Sequence, residues 1–399
     1  MSTFANGEDS TRPHSPPIWL SSVYQCATPD QANELLAGTT AGYVYSRDGH
    51  PNSTRLANLC NKLHAAPRGV VTNSGMSALA LALISQCRAG EHVLLSDQLY
   101  GCTAKLYINE ASRWGLLCTV VNSLDPAAVA AAWTPSTRLL LVETITNPLL
   151  RVNDLPVLAE LCHQRGGLLL VDNTLAGPLN CRPLDWGADL VVESLTKLMN
   201  GHSDVLLGYL GGTAAVWDRV PSALSTWGWT APPFECWLAE RGLATLRLRW
   251  QAATRNAHAV AAALENDNRI ARVHFPGLGN HADAAIVQKL FTRAGMAHPH
   301  DPTTSLIPTG TLVAFDLRGG WDLASRFITA VAGGIPFCPS LGELQTTLSH
   351  PASTSHRGLS PAERARLGIT DGTIRLSVGT EEPEWILEQL RGALGQLGG

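Results

Sequence analysis

The 399-residue chain is 45% hydrophobic and 16% charged, with a formal net charge of -4 at pH 7. This length exceeds what one hydrophobic core organises, so two domains with extensions are expected. The small negative charge and the scattered Lys and Arg residues argue against a nucleic-acid partner, and no apolar run reaches the length needed to span a membrane.

The N-terminal residues 1–17 are polar and contain three prolines. They lack the basic segment and the apolar core of a signal peptide. The nine cysteines are an odd number and form no CxxC pair, which favours reduced thiols over a disulfide framework. We therefore expect a cytoplasmic protein.

Residues 1–48 are rich in Pro, Ser, Gly and Thr and show no sustained period, which predicts an extended N-terminal arm that packs on another surface, such as a neighbouring subunit. Residues 49–245 alternate helical patterns with short, continuous apolar runs. Such runs are typical of a mainly parallel sheet that helices bury on both faces, an α/β fold. The predicted strands are 69–71, 92–95, 116–121, 139–142, 168–171, 190–192 and 205–210.

A long helical pattern over 240–266 leads out of this α/β domain. The remaining part, 246–399, mixes two predicted strands, 310–317 and 373–378, with helices. This mixture indicates a smaller C-terminal α+β domain. The Pro-rich stretch 298–308 is typical of a surface loop.

Four of the predicted strands lead to side chains with useful chemistry, which are, in chain order, Tyr100, Asn147, Asp172 and Lys197. The carboxyl ends of parallel strands meet at one edge of a sheet, and open α/β sheets bind ligands at that edge. The coincidence predicts one shared site.

Asp172 and Lys197 suit pyridoxal phosphate (PLP), which needs an amine for a Schiff base and a carboxylate to keep its ring nitrogen protonated. Taken alone, a lysine after a strand is most often a surface charge, and an aspartate there is a turn or cap residue. Their pairing favours the cofactor, because the hydroxyls of Ser194 and Thr196 beside the lysine can donate to a phosphate.

A helix start and an arginine in a strand complete this hypothesis. The segment 72–77 opens a helix, where free backbone N–H groups bind anions and Gly75 allows close approach. Tyr100 offers an aromatic face for the ring, although a single tyrosine is more often a core residue. Arg375 lies in the apolar strand 373–378 and requires an anion partner. A structural ion pair is one interpretation; we favour bidentate capture of a substrate α-carboxylate.

Metal and serine-hydrolase chemistry find little support in the sequence. The 13 histidines include no HExxH motif and no Cys/His cluster with ligand spacing, and no GxSxG motif occurs. We therefore predict no metal site, and we expect His50, His64 and His202 to be hydrogen-bonded polar residues.

The ordered motifs of the chain resemble the Cys/Met-metabolism (trans-sulfuration) family of PLP-dependent enzymes, which includes cystathionine γ-synthase, the cystathionine lyases and methionine γ-lyase. The resemblance covers nearly the whole chain and implies the fold-type-I PLP-dependent transferase fold and a homotetramer made of two dimers with shared active sites. The matching motifs are Tyr45-Ser46-Arg47, Ser74-Gly75-Met76, Tyr100-Gly101-Cys102, Glu143-Thr144, Thr146-Asn147-Pro148, Val171-Asp172-Asn173-Thr174, Ser194 to Lys197, Ser340-Leu341-Gly342, His350-Pro351-Ala352-Ser353 and Arg375 to Gly379.

The resemblance implies roles for residues in several of these motifs. Lys197 is expected to be the catalytic Schiff-base lysine, and Asp172 to pair with the ring nitrogen. Tyr100 is expected to stack on the ring and to handle a proton near the leaving group. The expected phosphate contacts are Gly75, Met76, Ser194 and Thr196, with Tyr45 and Arg47 reaching the phosphate of the neighbouring subunit, and the expected substrate contacts are Arg375, Ser340, Asn147 and Cys102.

Three positions bear on the choice of substrate. Family members that handle cystathionine tend to carry a glutamate just before the serine of the Ser-Leu-Gly motif, where this chain has Pro339. Cys102 resembles the arrangement in methionine γ-lyase. Glu235 stands where the family often has Asp, and its carboxylate would suit a substrate with a cationic tail.

The predicted activity is γ-elimination from a methionine- or homoserine-type amino acid, which gives a 2-oxo acid and ammonia. The alternatives are γ-replacement, as in cystathionine γ-synthase or O-acylhomoserine sulfhydrylase, and β-elimination from cystathionine or cysteine. Elimination of a non-sulfur group, such as that of canavanine, and a non-enzymatic binding protein also stay open. The intact Lys197, Asp172 and Arg375 argue against the last.

Overall fold

The computed structural model describes residues 13–291 and 309–397. Residues 1–12 of the predicted arm and the predicted surface loop 298–308 lie outside the described residues. Two sheets organise the rest, a seven-stranded sheet in the N-terminal part and a four-stranded antiparallel sheet in the C-terminal part. No helix of the described ranges is long and apolar enough to cross a membrane.

The seven-stranded sheet has the strand order β1-β7-β6-β5-β4-β2-β3. The strands β2 to β6 run parallel to one another, whereas β7 is antiparallel to both of its neighbours. Its strands are β1 (Arg68–Thr72), β2 (His92–Ser96), β3 (Leu117–Val121), β4 (Thr137–Glu143), β5 (Leu168–Asp172), β6 (Leu190–Ser194) and β7 (Gly208–Gly212).

The second sheet has the order β10-β11-β9-β8, with β8 (Ile270–His274), β9 (Leu312–Leu317), β10 (Thr347–Ser349) and β11 (Thr373–Ser377). The α-helices are α1 (Pro29–Leu36), α2 (Pro51–His64), α3 (Gly75–Gln86), α4 (Gly101–Lys105), α5 (Ala111–Arg113), α6 (Pro126–Ala132), α7 (Leu155–Gln164), α8 (Val220–Trp227), α9 (Pro233–Leu243), α10 (Leu246–Glu265), α11 (Ala284–Phe291), α12 (Gly320–Val331), α13 (Pro361–Arg366) and α14 (Pro383–Gly395).

The central parallel strands are continuous Leu/Val runs because both of their faces are buried. On β4, Leu139 and Leu141 pack in one apolar cluster with α3, and Leu140 and Val142 pack in another with α7. Side chains that alternate along a strand point to opposite faces, so each face has its own helix layer. The predicted α/β fold, with a mainly parallel sheet between helices and a smaller α+β part, is confirmed.

Two predicted elements differ in the structure. The predicted strand 205–210 begins only at Gly208, because two side chains hold the preceding loop: Glu235 accepts the N–H of Leu206 and Thr196 accepts the N–H of Leu207. Both bonds use backbone N–H groups that a β-strand would donate to a neighbouring strand.

The predicted helix over 240–266 is instead two helices, α9 and α10, which break between Leu243 and Leu246. Gly242 packs so closely on Asn200 that a Cβ there would lie 2.5 Å from its Oδ1. The Arg249 side chain donates to the Gly242 carbonyl at 2.9 Å. These tertiary contacts end α9 at Leu243, although the helical sequence pattern continues beyond it.

The described part of the arm lies on the surface of the chain. It is attached through Trp19 and Pro17, whose backbone groups bond to the side chain of Asn52. Helix α1 has no buried residue, and Leu20 and Leu36 are 74% and 64% exposed. An apolar surface of this kind is typical of a segment that packs against another chain.

Candidate active site

A cavity of about 230 Å³ lies at the carboxyl ends of the central strands, with one wall from the C-terminal part. It brings together most of the residues that the sequence singled out, although they come from distant parts of the chain. The predicted residues that line it are Gly75, Met76, Tyr100, Asn147, Asp172, Ser194, Thr196, Lys197, Ser340 and Arg375.

Lys197 projects into this cavity from the turn after β6. Its Nζ donates to Ser340 Oγ at 2.8 Å. Burial lowers the pKa of the Lys197 amine, an effect that the charge of Glu343 opposes and the charge of Arg375 reinforces. A buried amine with a lowered pKa is suited to form a Schiff base and to act as a base.

Asp172, the last residue of β5, is half-buried and lines the cavity. Its Oδ1 accepts the backbone N–H of Thr174 at 3.0 Å, and burial raises the pKa of its carboxyl group. A cation beside it reverses that desolvation effect. The ring nitrogen of PLP in its protonated form is such a cation, so this carboxylate fits the cofactor.

Glu143 is a second buried carboxyl group in the cavity, and the sequence analysis gave it no role. It ends β4 and pairs with Asp172 in the β4–β5 register. Its Oε1 accepts the backbone N–H of Tyr100 at 2.7 Å, and Oε2 is buried without a hydrogen-bond partner among the described residues. Burial and the charge of Asp172 raise the pKa of Glu143 well above its ordinary range, which favours its neutral form.

The start of α3 forms a cradle beside β6. Ser74 caps the helix and accepts the N–H of Ser77 at 3.1 Å. A Cβ at Gly75 would lie 3.0 Å from the Cβ of Ser194, so only glycine leaves this space open. A helix N-terminus next to hydroxyl groups is a phosphate site, and the residues present therefore fit PLP at its phosphate as well as at its aldehyde and ring nitrogen.

Arg375 enters the cavity from β11 and is only 4% exposed. Its guanidinium donates from Nη1 to Asn147 Oδ1 at 2.8 Å and from Nη2 to the Ser340 carbonyl at 2.9 Å. Burial lowers the pKa of Arg375 to about 10, so it keeps its charge at neutral pH. Among the described residues no carboxylate pairs with it directly, which favours the carboxylate-anchor interpretation over the structural ion pair.

Three predicted site residues do not line the cavity of their own chain. Arg47 is exposed, lies against the ring of Tyr45 at 5.5 Å from its centroid, and donates to Ser225 Oγ at 3.0 Å. Cys102 is exposed beside Tyr100. A hydrogen bond with Cys102, together with burial, raises the pKa of the Tyr100 hydroxyl to about 12.

The residues that bear on the substrate lie in different places. Pro339 lines the cavity, as its position before Ser340 predicts, and so does Leu206, which is 59% exposed. Glu235 does not line it: its Oε2 accepts the N–H of Leu206 at 3.0 Å. The expected role of Glu235 toward a cationic tail is therefore not supported within one chain, since its carboxylate already holds the cavity wall.

The three histidines were expected to be hydrogen-bonded. This is confirmed for His50, which bonds to the Ala231 carbonyl, and for His202, which bonds to the Asn200 carbonyl. His64 differs, because it is fully buried with its Nε2 3.4 Å from the Glu193 carboxylate and neither ring nitrogen has a hydrogen bond among the described residues.

The sequence is similar to known proteins over nearly its full length. The profile of the Cys/Met metabolism PLP-dependent enzyme family matches residues 3–395. The L-methionine gamma-lyase of Porphyromonas gingivalis is 33% identical over 387 residues, which are 96% of this chain and 92% of that protein. The O-succinylhomoserine sulfhydrylase of Pseudomonas aeruginosa is 37% identical over 369 residues, 92% of this chain and 88% of that protein.

The fold also matches solved structures. A crystal structure of cystathionine gamma synthase from Xanthomonas oryzae pv. oryzae, in complex with aminoacrylate and cysteine, superposes with a TM-score of 0.87 at 32% identity, covering 96% of this chain and 93% of that one. Fold type I is therefore confirmed, and PLP is the cofactor. The chain belongs to the Cys/Met-metabolism family of PLP-dependent enzymes, as an enzyme of the carbon–sulfur lyase type.

Proposed function

We propose that the enzyme catalyses γ-elimination from a methionine- or homoserine-type amino acid. The observation that carries this proposal is the uncharged part of the cavity lining, to which Pro339, Leu341 and Leu206 contribute. An apolar wall favours a short, uncharged side chain, because a charged tail would lose its hydration without a partner. The similarity to an L-methionine gamma-lyase supports the same choice.

The α-carboxylate is bound first. The charge of Arg375 and its planar fork of donors suit a carboxylate. Its bonds to Asn147 Oδ1 and to the Ser340 carbonyl hold the fork in place. These bonds fix the guanidinium of Arg375 in the cavity, where it would bind the α-carboxylate.

Bound PLP supplies an aldehyde that holds the substrate amine and a protonated ring that draws electrons from Cα. Lys197 is the base that removes the Cα proton, because burial favours its neutral amine and Ser340 fixes its position. Tyr100 keeps its hydroxyl proton at neutral pH, since its pKa is raised to about 12, and we assign it the donation of that proton to the leaving group. Asp172 would pair with the protonated ring nitrogen of bound PLP.

The test is product analysis with purified enzyme. Methionine, homoserine, O-acylhomoserine, cystathionine, cysteine and canavanine are incubated separately, and 2-oxobutyrate, pyruvate and vinylglycine are measured. We expect 2-oxobutyrate from methionine or homoserine derivatives, and none from Lys197→Ala. Dominant pyruvate would contradict the proposal and identify β-elimination.

A second candidate is γ-replacement, which the 37% identity to an O-succinylhomoserine sulfhydrylase supports. The two activities share every step up to loss of the γ-substituent, so the same Arg375, Lys197 and Tyr100 serve both. Adding sulfide or cysteine to the O-acylhomoserine reaction separates them. Homocysteine formed from sulfide, or cystathionine formed from cysteine, with release of the carboxylic acid and at the expense of 2-oxobutyrate, identifies replacement.

We also propose that the chain assembles as a homotetramer of two dimers with shared active sites. Arg47 and Tyr45 lie on the surface rather than in their own cavity, as expected of residues that reach a neighbouring phosphate. The exposed apolar residues of the arm support the same view. Sedimentation of the wild type and of Arg47→Ala tests the assembly. Within one chain, the proposed domains are the arm (1–48), the PLP-binding domain (49–245) and the C-terminal domain (246–399).

A further inference from the structure

The loop 340–344 is packed against the turn that carries Lys197. Gly342 has a left-handed backbone with φ of +84°, and a Cβ there would come within 2.4 Å of the Leu198 backbone nitrogen. The N–H of Leu344 donates to the Gly201 carbonyl at 3.1 Å. The residue between these two contacts, Glu343, is therefore held beside the Lys197 turn.

The Glu343 carboxylate has an unusual environment. Its Oε2 is buried and has no hydrogen-bond partner in the described ranges 13–291 and 309–397. A buried carboxylate oxygen without a donor is costly unless a nearby charge compensates it. The two cations on which its charge acts are Lys197 and Arg375, and it raises the pKa of both.

Neither cation is paired directly with a carboxylate among the described residues. Lys197 donates to a serine hydroxyl, and Arg375 donates to an amide oxygen and a backbone carbonyl. All of these acceptors are neutral. The positive charges of Lys197 and Arg375 are therefore compensated by carboxylates that are not hydrogen-bonded to either side chain.

We propose that Glu343, whose loop packs on the Lys197 turn, is the shared counter-ion of Lys197 and Arg375 and a positioning residue for the transfer of the Cα proton. This proposal rests on the role of Lys197 under the proposed function. A base in a buried site needs some stabilisation of its protonated form, and a fixed carboxylate at a distance provides it without occupying the amine. Glu343 follows the Ser340-Leu341-Gly342 motif directly, but nothing in the sequence indicates that one of its carboxylate oxygens is buried.

The titratable and charged groups that line the cavity do not replace Glu343. Asp172 would face the ring nitrogen of bound PLP, and Tyr100 is a neutral phenol. Glu143 is held by the Tyr100 N–H and acts on Arg375, whereas burial, Glu343 and Arg375 are the influences on Lys197. Glu343 is thus the carboxylate whose charge opposes the desolvation of the lysine.

The decisive measurement needs no turnover. The chain has four lysines, Lys62, Lys105, Lys197 and Lys289, so reductive methylation with 13C formaldehyde gives a simple NMR spectrum of the cofactor-free protein. Lys197→Ala identifies the Lys197 signal. In Glu343→Gln we expect this signal to titrate at lower pH than in the wild type. In Glu384→Gln, an exposed carboxylate on α14, it should titrate as in the wild type.

Kinetics of the PLP-loaded enzyme give the second readout. Glu343→Gln is expected to move the acid limb of the kcat–pH profile to lower pH and to lower kcat about threefold to tenfold, and Glu343→Asp to restore part of the change. An unshifted Lys197 titration in Glu343→Gln overturns the inference. If no amino acid is turned over by the wild type, the proposed function fails, and the NMR titration still decides the role of Glu343.

Discussion

Arg375 on β11 donates to Asn147 Oδ1 at 2.8 Å, across 228 residues of sequence. The bond joins the second sheet to the loop after β4, so the proposed substrate anchor is assembled from both parts of the chain. The same guanidinium also bonds to the Ser340 carbonyl, whose residue holds Lys197. Ser340 therefore contacts both the arginine proposed to bind the carboxylate and the lysine proposed to form the Schiff base.

Arg375→Lys tests this anchor. A single ammonium cannot present the planar fork that meets a carboxylate while its other donors hold Asn147 and Ser340. We expect the KM for the amino acid to rise about 100-fold, or roughly 3 kcal/mol, with PLP affinity unchanged. Steady-state kinetics and a PLP titration of the cofactor-free protein measure both, with the exposed Arg391→Lys as control. An unchanged KM would contradict the assignment.

Gly75→Ala tests the phosphate cradle. The added methyl would lie 3.0 Å from the Cβ of Ser194, in the space assigned to the phosphate. We expect PLP to bind about tenfold more weakly, while the stability of the cofactor-free protein is kept, because alanine favours a helix more than glycine does. The matched control is Gly392→Ala on α14, where an added methyl meets nothing within 4 Å. Equal PLP affinity of the two variants would contradict the assignment of the start of α3 as the phosphate site.

Glu193→Gln tests the buried carboxyl group next to His64. Burial lowers the pKa of His64 to about 3. Burial and the charge of Asp172 raise the pKa of Glu193 well above its ordinary value of 4.5. These shifts favour the neutral form of both side chains in the folded protein.

The sign of the Glu193 effect on stability follows from proton linkage. Above pH 4.5 the unfolded chain releases this proton and the folded protein retains it, so rising pH lowers the free energy of unfolding until the folded-state pKa is passed. Glutamine stays neutral, and Glu193→Gln should unfold at a higher urea concentration than the wild type at about pH 8, with little difference at about pH 4. An equal increase in the urea midpoint at both pH values would show that the substitution acts through packing and not through the charge of Glu193.

Glu235→Gln tests whether the carboxylate of Glu235 recognises substrate. It bonds to the N–H of Leu206 and does not line the cavity. We therefore expect the ratio of kcat/KM for canavanine and methionine to stay within about twofold of the wild-type ratio. Glu240→Gln, farther along α9, is the control. A selective loss of canavanine turnover would show that Glu235 does meet a cationic tail, through a neighbouring subunit.

Much of the fold and of the site could be predicted from the sequence because the signals are local. Apolar runs that are buried on both faces mark the central strands, and chemistry-bearing residues directly after them share one edge of the sheet. Asp172 and Lys197 were found in this way. Glu143 carries the same signal at the end of β4, but a lone glutamate after a strand is indistinguishable from a surface charge until its burial is known.

Other features depended on contacts between distant segments. The end of α9 depends on the packing of Gly242 against Asn200, and the late start of β7 depends on Glu235 and Thr196. The influence of Glu343 on Lys197 exists only because Gly342 brings its loop onto the lysine turn. The sequence by itself predicted the central strands, the PLP cofactor and the lysine proposed to bind it. The tertiary structure alone decided which carboxylates are buried near that lysine, because desolvation and Coulomb effects depend on distance and burial, not on position in the chain.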